Sequence, residues 1–236
     1  MKPSNRKSRA LDIVCWVLGA LPLAASLAAR PFLPARIPMH FDFAGNIDGW
    51  GTWGELLALS FIGLGVAALL HFLPRWDPKG RNYARFARSY GMLRLTCGVF
   101  FCAVLCLMIA VGLWPDRFAA AAGGATDIGR WIGAGVGVMI CVVGNFLPKV
   151  KQNYFCGIKT PWALASEDNW RRTHRLAGPV WFWCGLSIAA AGLLVPAALQ
   201  APLMLALALT CLAVPYGYSY WIYKNRPKGG ENDAED

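Results

Sequence analysis

Residues 91–114 read GMLRLTCGVFFCAVLCLMIAVGLW, and beyond Arg94 this run carries no charge. A helix rises 1.5 Å per residue, so ~20 such residues cross the ~30 Å hydrocarbon core of a bilayer. Residues 11–29, 55–72, 131–147, 176–195 and 202–223 have the same character. The expectation is an all-α, polytopic integral membrane bundle of about six transmembrane helices. Composition agrees: of 236 residues, 56% are hydrophobic and 15% charged, and the charges collect between the runs. The net charge of +10 does not call for nucleic acid, because the basic residues flank spans rather than forming an amphipathic face.

Orientation follows from where Lys and Arg fall. The first ten residues carry Lys2, Arg6, Lys7 and Arg9. The second connection carries Arg75, Lys79, Arg81, Arg85 and Arg88. The fourth carries Lys149, Lys151, Lys159, Arg171, Arg172 and Arg175, and the tail Lys224, Arg226 and Lys228. The opposite side has only Arg30, Arg36, Arg117 and Arg130. Both termini are therefore expected on the cytoplasmic side. Trp50, Trp53, Trp114 and Trp131 fall at the outer boundary; Trp76, Tyr216, Tyr218, Tyr220, Trp221 and Tyr223 fall at the inner one, as interfacial belts do.

The expected organisation is a basic segment 1–10 and an N-terminal membrane region 11–114 with an extracytoplasmic loop 30–53. A C-terminal membrane region 131–223 with a cytoplasmic loop 148–175 follows, then a disordered tail 224–236. The start also resembles a signal peptide, but its apolar run is longer than an h-region, so an uncleaved first span is expected. Seven of the eight cysteines lie in apolar runs and Cys156 in the basic loop, so no disulfide framework is implied. Cys102 and Cys106 share a helix face as small apolar filler.

The span interiors contain no Asp or Glu, with Asp12 and Glu55 at span ends, which argues against an ion-coupled transporter. His71, Arg94 and Asn145 remain, all near the cytoplasmic ends of spans two, three and four. Individually they read as interfacial, snorkelling and helix-packing residues; together they suggest a cytoplasm-facing polar pocket. Gly133, Gly135, Gly137 and Gly144 give span four small faces and place it centrally.

In the fourth connection Pro148 ends span four, and Ser166 before Glu167 and Asp168 reads as a helix N-cap. From there a helix should run through Arg175 into span five; Trp170, Thr173, His174 and Ala177 share one face and Arg171 and Arg175 another, which predicts an interfacial stretch at the inner membrane surface with its aromatic side toward lipid or protein. Lys149, Lys151, Lys159 and Arg171 either bind an anion or only retain the loop in the cytoplasm. In the first connection Met39, Phe41 and Phe43 alternate with His40 and Asp42, so an extended segment puts the last two on one side. With Asp48 they could hold a metal; hydrogen-bonded turn residues are the expected reading.

These two connections carry a resemblance. Ile37-Pro38-Met39-His40-Phe41, Gly45 and Asp48-Gly49-Trp50-Gly51 resemble the membrane domain of unknown function found at the N-terminus of the SdpI family of bacterial immunity proteins. Gly144-Asn145, Leu147-Pro148-Lys149, Asn153, Gly157, Thr160-Pro161-Trp162, Leu164, Ser166, Trp170, Thr173-His174-Arg175 and Gly178 resemble that family's C-terminal part. Lys159 stands where the family commonly has Arg, and Ala163 where it commonly has Thr; the first change replaces a bidentate fork by a point charge.

The resemblance implies a multi-pass protein of the bacterial cytoplasmic (inner) membrane that protects the producing cell from a secreted, membrane-active peptide toxin. Some relatives are receptors that hold a transcriptional repressor at the inner face. Membrane lipids, a toxin outside and a repressor inside are thus the expected partners, with no nucleic acid and no cofactor. The competing reading is a lipid-phosphate enzyme or flippase. No P-loop, dinucleotide fingerprint, nucleophile elbow or zinc-protease motif supports catalysis, so binding is expected rather than chemistry.

Overall fold

In hydrocarbon every backbone N–H and C=O needs an internal partner, so an apolar run has one local solution, the helix. The computed structural model describes residues 4–41, 47–119 and 128–225. It contains α1 (Ser4–Ala29), β1 (Ile37–Phe41), β2 (Ile47–Gly51), α2 (Trp53–Trp76), α3 (Ala87–Leu113) and α4 (Pro115–Ala119). Then come α5 (Ile128–Phe146), α6 (Pro161–Ala165), α7 (Glu167–Leu194) and α8 (Ala197–Lys224). Among the described residues six helices, α1, α2, α3, α5, α7 and α8, are long and apolar enough to cross a membrane. They coincide one for one with the six apolar runs.

Helices α1, α2, α3 and α7 overrun their runs by several residues at the basic end, because a backbone ladder continues where water or protein can take polar side chains. The helix expected to run from Ser166 through Arg175 into span five is α7. Residues from Glu167 are the first turns of α7 itself, with the Ser166 hydroxyl accepting from Asn169 N–H as the N-cap. Its aromatic face does not meet lipid. Trp170 is 2% exposed, and Thr173, His174 and Ala177 are 0% exposed, because three of the four carry polar atoms that protein satisfies here.

The first connection adds a β-hairpin to the helical fold. β1 and β2 are antiparallel, pairing Ile37 with Gly51 and Phe41 with Ile47. Ile37 is fully buried beside Ala29, Leu56, Met108 and Ile109, so the hairpin is fastened to the ends of α1, α2 and α3. Thr52 and Glu55 form a capping box that starts α2 directly after β2.

Two three-helix halves result. In the first, α1 and α2 cross where a Cβ on Gly19 would stand 2.9 Å from Gly63 O. In the second, α5 and α7 form the most extensive pairing in the molecule, and α5 also packs against α3, joining the halves. Gly137 and Gly144 on α5 face Gly185 and Gly178 on α7, each pair seven residues apart along its helix. A seven-residue repeat keeps one face on the partner helix over several turns. The backbones touch: a Cβ on Gly137 would lie 2.3 Å from Ala189 N, and one on Gly185 2.4 Å from Cys141 N. Glycine-to-alanine changes inside helices ordinarily gain ~1 kcal/mol. Gly137→Ala and Gly185→Ala should instead cost about 3 kcal/mol by overpacking and lower the melting temperature of the detergent-solubilised protein. Gly217→Ala is the control, since nothing lies within 4 Å of its Cβ position, and it should be neutral or stabilising.

Candidate functional site

Between α5 and α6 the chain has no regular ladder, so side chains must satisfy its buried backbone. Asn153 is 0% exposed. Its Oδ1 accepts from Phe155 N–H (2.9 Å) and Cys156 N–H (2.6 Å), and its Nδ2 donates to Lys151 O (2.8 Å) and Cys156 O (3.0 Å). Gln152 reaches the other way: Nε2 donates to Ala163 O (2.8 Å) and Leu164 O (2.9 Å), carbonyls at the end of α6. Gly157 has φ +105°, and a Cβ there would sit 2.3 Å from His174 Nε2. Only glycine meets both demands.

His174 closes this turn. Its Nε2 accepts from Ile158 N–H (3.0 Å), which makes Nδ1 the protonated nitrogen, and Nδ1–H donates to Trp170 O (2.8 Å). The ring stacks on Trp170 at 4.1 Å between centroids, and the Trp170 indole N–H donates to Val150 O (2.9 Å). Thr160 caps α6 by accepting from Ala163 N–H (3.0 Å), with Pro161 at the first helical position. Ser219 of α8 donates to Asn169 Oδ1 (2.8 Å), so the Thr160 hydroxyl supplies the proton in its 2.6 Å bond to Ser219. Thr173 also donates to Asn169 Oδ1 (3.0 Å), and Asn169 Nδ2 donates to Ser219 O (2.9 Å). Trp162 packs among Tyr216, Tyr220 and Tyr223.

The first half of the molecule grips the same loop. Asp77 Oδ2 accepts from Tyr83 OH (3.0 Å) and from Tyr154 N–H (3.0 Å). Tyr83 OH is also 3.3 Å from Asn153 Oδ1, Asn82 Nδ2 donates to Gln152 O (2.7 Å), and the Lys79 ammonium donates to Gln152 Oε1. Sequence reasoning missed Asp77, Asn82, Tyr83, Gln152, Asn169 and Ser219. A buried Asp directly after the Trp76 boundary was the one available signal; the rest are ordinary polar residues until the fold pairs them.

Asn145, Lys149, Lys159 and His174, four polar residues of the basic end, do not line one pocket. His174 is buried with both ring nitrogens engaged, while Asn145, Lys149 and Lys159 are exposed. Lys151 is half-buried, and Lys149 lies over the Phe146 ring at 5.1 Å. Nor do His71, Arg94 and Asn145 converge. His71 and Arg94 meet between α1, α2 and α3, where Arg94 Nη1 donates to Asp12 Oδ1 at 2.6 Å; Asn145 is on α5. Arg94 therefore pairs inward instead of snorkelling: its side chain is 11% exposed.

At the far end His40 Nδ1 is 2.6 Å from Asp48 Oδ1 across the hairpin, so this pair is hydrogen-bonded. Asp42 and Gly45 lie outside the described residues, and among the described residues no His, Cys, Asp and Glu cluster has metal-site geometry. Pro38 pairs opposite Trp50, which is 50% exposed, and Phe41 borders a cavity of about 310 Å³ with Met39, Met108 and Met204.

Comparison with known proteins points the same way as the two connections. The model of the SdpI/YfhL protein family matches residues 149–220, from the basic loop to the Ser219 contact, and that of the domain of unknown function DUF1648 matches residues 17–64, around the hairpin. Immunity protein SdpI of Bacillus subtilis (strain 168) is 32% identical over 218 residues, covering 90% of this chain and 96% of that protein. No solved structure matches.

Two outcomes test the loop. Gly157→Ala should cost about 3 kcal/mol in thermal unfolding, from the forced left-handed backbone and the clash with His174. Burial pushes the Cys156 thiol up to about 11, only partly offset by the Tyr83 hydroxyl and Lys159. Its thiolate fraction at neutral pH then falls ~100-fold below that of an ordinary thiol. Maleimide should label Cys156 slowly in the folded protein and rapidly after denaturation; rapid labelling of the folded state would contradict the locked loop.

Proposed function

This chain belongs to the SdpI/YfhL protein family, and from that premise we propose that it is a multi-pass membrane immunity protein, protecting its cell from a secreted, membrane-active peptide. The observation that carries the reading is the 32% identity to an immunity protein across nearly the whole of both chains. The charge distribution supports an inner-membrane placement with the basic end in the cytoplasm and the hairpin outside. On that orientation the peptide meets the hairpin end, where Trp50 is exposed and His40, paired with Asp48, lines a cavity together with Met39, Met108 and Met204. Methionine walls adapt to varied apolar partners.

The basic end supports a second contact, with an acidic protein such as a transcriptional repressor. Its loop is held rigid from both halves, so Lys149, Lys159, Tyr154 and Phe155 are presented on a fixed surface. The interlocked polar side chains of the loop are spent on one another, which favours binding over catalysis here.

Expressed in a sensitive bacterium, the protein should raise survival against its cognate peptide. Trp50→Ala, at an exposed position, should weaken peptide binding by about 2 kcal/mol and reduce protection at unchanged membrane abundance. Survival equal to that of cells lacking the protein, with normal insertion, would falsify the immunity reading. A Lys159→Cys variant fixes the orientation: it should react with an impermeant maleimide only in inverted vesicles, and labelling of intact cells would reverse the assignment.

A further inference from the structure

We propose that the cleft between α1, α2 and α3 at the basic end binds a phosphate group, carried by a phospholipid headgroup or as the free anion. The cleft has a volume of about 330 Å³ and is lined by Asp12, His71, Arg75, Tyr83, Tyr90 and Arg94, among others. Volumes of this order hold small polar ligands. Arg94 is the anchor, its side chain 11% exposed. One Nη1 proton goes to Asp12 at 2.6 Å and Nη2 is 3.4 Å from His71 Nδ1, while Nε is buried with no hydrogen-bond partner. An unmatched buried guanidinium donor is costly, which makes an added oxygen acceptor favourable.

The charges around the cleft do not cancel. Asp12 is the carboxylate among the residues lining it, against the guanidinium groups of Arg94 and Arg75. Arg75 lies 5.4 Å above the Phe72 ring and makes no ion pair among the described residues. Two guanidinium groups against one carboxylate leave the lining one excess positive charge. His71 is held between Trp16 at 5.6 Å and Phe72 at 5.0 Å, which fixes its ring beside Arg94. Two arginines, one half-buried and one exposed, suit a phosphate entering from the interfacial side, since guanidinium groups match its oxygens in pairs. The polar cluster around Asn153 and His174 is internally paired, and its Asp77 carboxylate and Lys79 ammonium offset one another, so it offers no such field.

The test uses the purified full-length protein in detergent, titrated calorimetrically with dioctanoylphosphatidylglycerol and, separately, with sodium phosphate. Binding of the lipid alone identifies a headgroup site; binding of sodium phosphate that competes with the lipid identifies a site for the anion itself. Arg75→Gln, at an exposed position that leaves the Asp12–Arg94 pair intact, should weaken binding roughly tenfold, the loss of one charge-assisted contact. Arg94→Gln should abolish it, and Arg75→Gln remains decisive should that variant not fold. Lys149→Ala and Lys159→Ala, at the same end but outside the cleft, should leave binding unchanged. No binding of either probe, equal binding by Arg75→Gln, or equal loss in Lys149→Ala would overturn the proposal.

Discussion

An irregular segment packed among helix ends has to find a partner for every backbone polar group it hides from water, and residues 150–160 do so largely with side chains. Each buried group left unpaired costs about 1–3 kcal/mol, so a handful of failures would exceed the stability of a typical domain. Asn153 alone satisfies two N–H groups and two carbonyls, and Gln152 two more carbonyls at the end of α6. An aspartate in place of Asn153 would keep the acceptor and lose both donors. The loop also determines how the halves meet. Asp77, Asn82 and Tyr83 bind it from the first half, while Trp170 and His174 bind it from α7. Loosening it would therefore change the relation of α2 to α7 as well as the loop itself.

The spans were legible because their signal is the solvent: a long uncharged run has few other uses, and all six runs became helices. The glycine pattern of α5 was legible as close packing, but its partner was not, since the matching glycines of α7 are separated from it by the whole loop. The Thr160-Pro161-Trp162 stretch shows the limit in the other direction. Its residues are conspicuous in the sequence, and they invite a binding role. In the structure Thr160 is a helix cap bonded to Ser219, and Trp162 fills a tyrosine cluster on α8. Conspicuous loop residues can be structural when a loop is buried.

Asp12 and Arg94 failed to be read together for a different reason. Each was assigned separately to the end of its span, where a charge has the cheap option of reaching water. Helices α1 and α3 place them in hydrogen-bond contact, and an ion pair between two spans satisfies both charges more directly than snorkelling. Pairing across helices depends on rotation about each helix axis, which a nearly uniform apolar run does not encode. For the same reason the sequence grouped Asn145 with His71 and Arg94 by depth alone, although α5 turns it to the surface.

The two polar clusters at the basic end have opposite physical characters, and that difference bears on which can respond to a ligand. Around Asn153 and His174 the named donors and acceptors are matched within the protein, so an incoming group could bind only by breaking bonds already made. Rigidity is what such a network supplies, and a rigid basic surface is useful for recognition at its exposed side chains. Around Arg94 the matching is incomplete, the cleft is open, and the charge is unbalanced. A ligand there gains contacts without first displacing any except water. Since α1, α2 and α3 also hold the hairpin at their other ends through the cluster around Ile37 and Leu56, occupancy of the cleft and the position of the hairpin act on the same three helices. Coupling between them then requires only that the three helices pack differently with the cleft filled, because a ligand shifts a conformation solely by its differential affinity for the two arrangements.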